Sequence, residues 1–294
     1  MKKKFQYLYE EGVLKNIGSI RIQTDELADH KKLRKRLTCE LTDRTPMAQF
    51  VGYLVDSGPV GNGEQNRLLP CLFLSDILST YQGDEKVIRP LREAQKRGIN
   101  WAQHLSLLTT LQHIKHDVDS SIEVFTNLLI HSLKVSEPVG ELLIMGVEGH
   151  AIGVEVRKEA DGQIHFMIAN VGNGAGYHHK RRERTAVPCR HFVAADENQA
   201  KEVLKKLVWM NAGTKDVNEF YRLVTTKLQE QPIEGMYYRP AQNVGNCAYR
   251  SPIELLYGVL WREGIDPKSL QTHIQNYVKR FNPNAVVNDL PFER

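Results

Sequence analysis

The chain predicts an α+β fold: a helical N-terminal portion, then an antiparallel sheet, then a helix that opens on a cysteine. Three observations carry this. Apolar residues recur at three-to-four spacing before residue 135, as in Ile122, Val124, Phe125, Leu128, Leu129 and Leu133. Alternating apolar residues then flank Asp161-Gly162 on both sides, the pattern of a β-hairpin. Finally, Cys247 follows a Gly245-Asn246 turn and precedes the apolar run Ile253 to Trp261.

Taken in order, residues 1–45 are charged and irregular, and residues 46–63 carry the loop residues Pro46, Ser57-Gly58-Pro59 and Gly61-Asn62-Gly63. Leu68 to Leu78 is apolar and fits a short strand or a helix. Residues 86–135 read as largely helical. Glu141–Arg157 and Gln163–Val171 read as two strands joined through Asp161-Gly162. Residues 172–192, rich in Gly, His and basic residues, read as a loop. Helical patterns follow at about Glu197–Met210 and Val217–Glu230. Ser251–Trp261 reads as a buried helix with Pro252 in its first turn. A last amphipathic helix covers roughly Pro267–Arg280. The expected organisation is a mainly helical region over 1–140, a candidate substrate-binding part. A core follows over 141–282, then a loose tail over 283–294.

The composition, 294 residues with 41% hydrophobic and 25% charged, excludes disordered and fibrous classes. No apolar run reaches about 18 residues, so no membrane span is predicted. Met1-Lys2-Lys3-Lys4 is followed by no apolar core, so no cleavable signal is read. The net charge of +4 and two basic clusters, residues 30–36 and 178–184, lack interleaved aromatics and do not favour nucleic acid as a partner. The four cysteines are far apart and form no CxxC pair, which points to free thiols in a reducing, cytosolic setting. His178-His179 has no acidic or cysteine partner at ligand spacing, so no metal site is read.

The candidate chemistry centres on Cys247. A thiol becomes a nucleophile on ionisation, which a helix N-terminus and a nearby imidazole both favour. Period-two parity extends the set Ile152, Val154, Val156 back to His150 and the set Ile164, Phe166, Ile168 on to Asn170. If the two sets share a sheet face, His150 and Asn170 meet at one end of the hairpin. His150 would be the general base and acid, and Asn170 would orient its ring. Asn173 and Asp161 compete for the second role. Gln242 and the Cys247 backbone amide would donate to an oxyanion, with Gly245 permitting the turn. A thiol and an imidazole need no cofactor for this chemistry.

The order His150, Asn170, Gln242, Cys247 resembles that of the adenain-like cysteine peptidase clan, which contains the SUMO-type ubiquitin-like-protein proteases. The YopJ-type bacterial effectors are similar. In these families a residue that orients the His follows it by about twenty positions, and a Gln precedes the Cys by about half a dozen. Ala151 stands here in place of their Trp, Asn170 in place of Asp, and Asn246-Cys247-Ala248 in place of Asp-Cys-Gly. The Gly245-Asn246-Cys247 turn also resembles the nucleophile turns of ubiquitin-specific and ovarian-tumour-type deubiquitinases, where the cysteine comes first. The resemblance covers residues about 143–262. It implies a papain-like cysteine peptidase core and a thiol peptidase or isopeptidase acting on a protein substrate, ubiquitin-like conjugates included. It implies action in a cytosol, the protein's own or a host's, as for a bacterial effector. The same constellation is open to deamidation, transglutamination or acetyl transfer. It is also open to a protein-binding adaptor in which Cys247 is a core residue and His150 lies far from it.

Overall fold

The computed structural model describes residues 68–113, 118–147, 150–172, 174–182, 185–212, 216–240, 247–279 and Phe292. The expectations for residues 1–67, Asn173, Gln242 and Gly245, and for the tail apart from Phe292, lie outside them. Among the described residues the fold is α+β. Three helices come first: α1 (Leu68–Thr80), α2 (Glu85–His113) and α3 (Asp119–Ser132). Strands β1 (Glu141–Val147), β2 (His150–Lys158) and β3 (Ile164–Ala169) follow. Next come β4 (Lys180–Arg182), β5 (Thr185–Ala186), β6 (Cys189–Ala194), α4 (Glu197–Ala212) and α5 (Val217–Lys227). The last elements are β7 (Gln229–Glu230), β8 (Arg239–Pro240), α6 (Cys247–Arg262) and α7 (Lys268–Lys279).

The main sheet is antiparallel, in the order β1-β2-β3-β6-β7. Helices cover both of its faces, and the alternation of side chains sorts residues between two cores. On one face, Ala151, Met167, Ala169 and Cys189 pack with Leu74, Leu91, Leu256, Leu260 and Ile274 of α1, α2, α6 and α7. On the other, Ile152, Val154, Val156, Phe166, Ile168 and Phe192 pack with Leu105, Leu129, Leu204, Leu207, Phe220 and Val224 of α2 to α5. Each such aliphatic or aromatic side chain contributes about 1.5–3 kcal/mol on burial. The helices that precede the sheet therefore share its cores.

The Asp161-Gly162 hairpin forms as its sequence indicates. Gly162 takes φ +85°, and the Gln163 amide bonds Asp161 Oδ1 at 2.9 Å. That places Asp161 in the turn, away from the hairpin end that holds Asn170.

Several expectations are corrected. Glu141–Arg157 is not one strand but two, β1 and β2, paired antiparallel from Glu141↔Val156 to Val147↔His150. Residues 172–192 are not a loop: they hold β4, β5 and the start of β6, which pairs with β3 along its whole length. Leu68 to Leu78, open between strand and helix, lies in the helix Leu68–Thr80. Helix α6 begins at Cys247, the helix start read for the cysteine and four residues before the apolar run from Ser251, so Pro252 lies in its second turn rather than its first. Phe292, in the tail read as loose, packs edge-on against Tyr237, with ring centroids 4.6 Å apart.

One register detail shapes the site. The β2–β3 ladder ends at Gly153↔Ala169, so residues 150–152 extend beyond β3 with, among the described residues, a strand neighbour on the β1 side alone. In an antiparallel strand, a residue's N–H and C=O point to the same side. The free edge of this overhang is where α6 begins.

Candidate active site

Three elements converge at the overhang. The backbone amide of Ala151 donates to Cys247 Sγ at 3.3 Å. The Ala151 carbonyl accepts from Ser251 Oγ at 3.0 Å. The first turn of α6 thus occupies the place of a strand partner, and it brings the cysteine beside the residue that follows His150. The sulfur sits at a helix N-terminus and receives a backbone N–H, which favour an anion, while its burial in the apolar core on the Ala151 face opposes one.

Close packing of α6 on the sheet depends on two glycines. A Cβ at Gly153 would lie 2.9 Å from the Ser251 carbonyl oxygen and 3.2 Å from Leu255 Cβ. A Cβ at Gly258 would lie 2.6 Å from Cys189 Sγ and 2.9 Å from Met167 Sδ. One glycine on the strand and one on the helix therefore set how low the cysteine's helix rides. Arg239 of β8 pins the same helix through Glu254 at 2.9 Å, with both side chains fully buried.

His150 Nε2 lies 2.9 Å from Asn170 Oδ1. Their shared parity puts both side chains on one face at one end of the hairpin, and there they meet. Both are buried, at 2% and 1% exposure, so a mismatch in this bond would cost about 1–3 kcal/mol. Asn170 Oδ1 also accepts from the Gly172 amide at 2.9 Å, an Asx turn that ends β3 and fixes the amide. An oxygen that already takes a backbone N–H faces His150, so Nε2 carries the ring proton and Nδ1 is the basic nitrogen. Burial lowers the His150 pKa from its ordinary value, opposed by the Asn170 bond, and favours the neutral base.

The other described cysteines are buried in the same core as Cys247 but do not open a helix. Burial pushes Cys71 up to about 12, and burial with nearby Glu254 and Glu155 raises Cys189 well above its ordinary value. Cys71, Cys189 and Cys247 are free thiols, and Cys39 lies outside the described residues.

The structure therefore brings His150 and Asn170 together and seats Cys247 against Ala151. Sequence reasoning missed the Ala151 amide, Ser251, Gly153 and Gly258, and also Tyr221 and His178, which stand behind Asn170. A glycine inside the apolar run Ala151 to Val154 of a strand pattern was the available signal for close helix approach. His178, weighed above as a metal ligand, spends both ring nitrogens on Val187 and Tyr221. Among the described residues no group of three or more His, Cys, Asp or Glu is arranged to hold a metal ion. Nor is any helix among them long and apolar enough to cross a membrane. Comparison with protein-family models gives no match, and comparison with curated proteins gives none either.

Proposed function

We propose that the chain is a cysteine-dependent acyl-transfer enzyme of papain-like design, working as a thiol peptidase or isopeptidase on a protein substrate. The observation that carries this reading is the junction at β2. The residue after His150 binds Cys247 Sγ through its amide, while His150 itself is held by Asn170.

In the proposed reaction His150 Nδ1 takes the Cys247 proton, and the thiolate adds to the substrate carbonyl. The resulting oxyanion is met by the Cys247 backbone amide at the helix start and, on the spacing argument, by Gln242. Imidazolium His150 then protonates the departing amine, leaving a thioester on Cys247. Water enters, gives its proton to His150, and attacks the thioester. The acid product leaves and the thiol is restored. An amine or hydroxyl in place of that water would give transamidation or acetyl transfer on the same residues, and a glutamine side chain as substrate would give deamidation.

Alkylation with iodoacetamide at pH 6, read by mass spectrometry, tests the reading. Cys247 should react much faster than Cys39, Cys71 and Cys189, and His150→Ala should remove the advantage. Cys247 reacting no faster than the buried Cys71 and Cys189 would overturn the enzyme in favour of an adaptor. A panel of ubiquitin-family activity probes then addresses the substrate class.

A further inference from the structure

The hydrogen bonds behind Asn170 add two residues that the proposed chemistry does not touch. Asn170 Nδ2 donates to Tyr221 Oη at 3.0 Å. Tyr221 Oη lies 2.6 Å from His178 Nε2, and His178 Nδ1 lies 2.8 Å from the Val187 carbonyl. Asn170, Tyr221 and His178 are all buried, at 3% exposure or less.

Backbone groups set the direction of every proton in this chain. The Val187 carbonyl only accepts, so His178 Nδ1 carries hydrogen. Burial lowers His178 to about 4, opposed by the Val187 bond and joined by the charge of Arg190, so the ring is neutral. Nε2 is then a bare acceptor, and the Tyr221 hydroxyl proton points at it. The Tyr221 oxygen is left to accept from Asn170 Nδ2. At the far end the Gly172 amide donates to Asn170 Oδ1. Both ends thus hold the Asn170 amide with its oxygen towards His150.

Local structure holds Tyr221 in place. Its ring stacks on Tyr177 at 4.7 Å. Asp216 caps its helix, α5, by accepting from the Asn218 and Glu219 amides. Gly174, at φ +84°, lets the chain pass where a Cβ would lie 2.9 Å from the Tyr221 ring.

We propose that Tyr221 and His178 are positioning residues of the candidate active site: through Asn170 they hold His150 in the tautomer protonated on Nε2, leaving Nδ1 to take the Cys247 proton. This rests on the acyl-transfer reading above. The charged and titratable groups acting on His178 are Arg190, Glu230 and His179, with Tyr221 in contact. His150 has Asn170 on one nitrogen, and the amide of the next residue, Ala151, meets Cys247 Sγ.

The test uses the full-length, 15N-labelled protein. Ring 1H–15N spectra at pH 7 should give Nε2–H for His150 and Nδ1–H for His178, with His150 assigned by its loss in His150→Ala. Tyr221→Phe should mix the His150 tautomers. It should also slow Cys247 alkylation at pH 6 about tenfold, the size of one lost buried hydrogen bond, and leave the rate at about pH 10 unchanged, where the thiolate forms unaided. In an Asn170→Ala background, Tyr221→Phe should add nothing. A wild-type His150 carrying its proton on Nδ1 overturns the proposal. So does a Tyr221→Phe protein of lower melting temperature with an unchanged His150 spectrum and pH profile, or one with the full tenfold loss in the Asn170→Ala background. If Cys247 is unreactive in the wild type, the acyl-transfer reading fails, and the ring spectra alone still decide whether Tyr221 and His178 set the His150 tautomer.

Discussion

Ala151 grips the first turn of α6 twice, by its amide on Cys247 Sγ at 3.3 Å and by its carbonyl on Ser251 Oγ at 3.0 Å. A strand residue left without a β3 partner thus satisfies both of its backbone groups on the helix that carries the cysteine. The coupling has a direct consequence for Ser251, which is fully buried. Ser251→Ala leaves the Ala151 carbonyl without its partner, at a cost of about 1–3 kcal/mol. Urea unfolding should register that loss. Cys247 alkylation at pH 6 should slow in the same variant, because the helix start loses one of its two ties to β2.

The two glycines predict a second outcome. In an exposed helix, Gly to Ala gains up to about 1 kcal/mol from propensity. At Gly258 the new methyl meets Cys189 Sγ at 2.6 Å, so the sign reverses, and a loss of about 1–3 kcal/mol is expected. Gly153→Ala presses on the Ser251 carbonyl from the strand side and should do the same. Both variants should lower Cys247 reactivity by lifting α6 from the sheet. A gain in melting temperature for Gly258→Ala would contradict the close packing described here.

Some of this was legible in the sequence, for physical reasons that differ by element. The hairpin at Asp161-Gly162 and the shared parity of His150 and Asn170 are local properties, set by turn chemistry and by the two-residue repeat of a strand. The split between β1 and β2 was not legible: β1 is buried on both faces, so Leu142, Leu143, Ile144 and Met145 show no alternation to mark its end. Strand β6 was hidden by Arg190 and His191. Their polar groups are met by Glu230 and Tyr177 in one case and His165 in the other, all distant in sequence. Tyr221 falls inside the helical pattern Val217–Glu230 with nothing local to mark it, and His178 inside a basic segment read as a loop. Only the fold sets that helix against the end of β3 and gives the two residues a common partner.

The buried pair of Arg239 and Glu254 predicts a non-additive result. Both side chains are fully buried, the Tyr237 hydroxyl also reaches Glu254 at 3.5 Å, and the Arg239 guanidinium lies 4.7 Å from the centre of the Phe292 ring. Glu254 also has Arg250 at 4.0 Å, so Glu254→Leu takes the carboxylate from two buried arginines and should cost about 3–5 kcal/mol, while Arg239→Met leaves Glu254 the more distant Arg250 and should cost less. The double variant should cost clearly less than the sum of the two, since Arg239 and Glu254 leave together and only the Arg250 contact is lost besides. Chemical denaturation of the three variants measures the coupling. Strict additivity would mean that the pair does not hold β8 to α6.

His178 makes the fold sensitive to acid. Its pKa is about 4 in the folded protein, chiefly through burial, against about 6.5 in an unfolded chain. The unfolded state therefore binds the proton first as pH falls. The stability this group contributes is complete above about pH 6.5 and is lost progressively down to about pH 4, a change of roughly 3 kcal/mol. His191, also lowered to about 4 by burial and by His165, acts in the same direction. Urea midpoints measured from pH 7.5 to 4 should fall accordingly. In His178→Asn the side-chain amide donates to the Val187 carbonyl but does not titrate, so the fall should be shallower by about one proton's worth of slope. Charging of His178 would also withdraw the acceptor that orients the Tyr221 hydroxyl. The same acid window should therefore disturb the His150 ring signals in the wild type and leave them undisturbed by this step in His178→Asn.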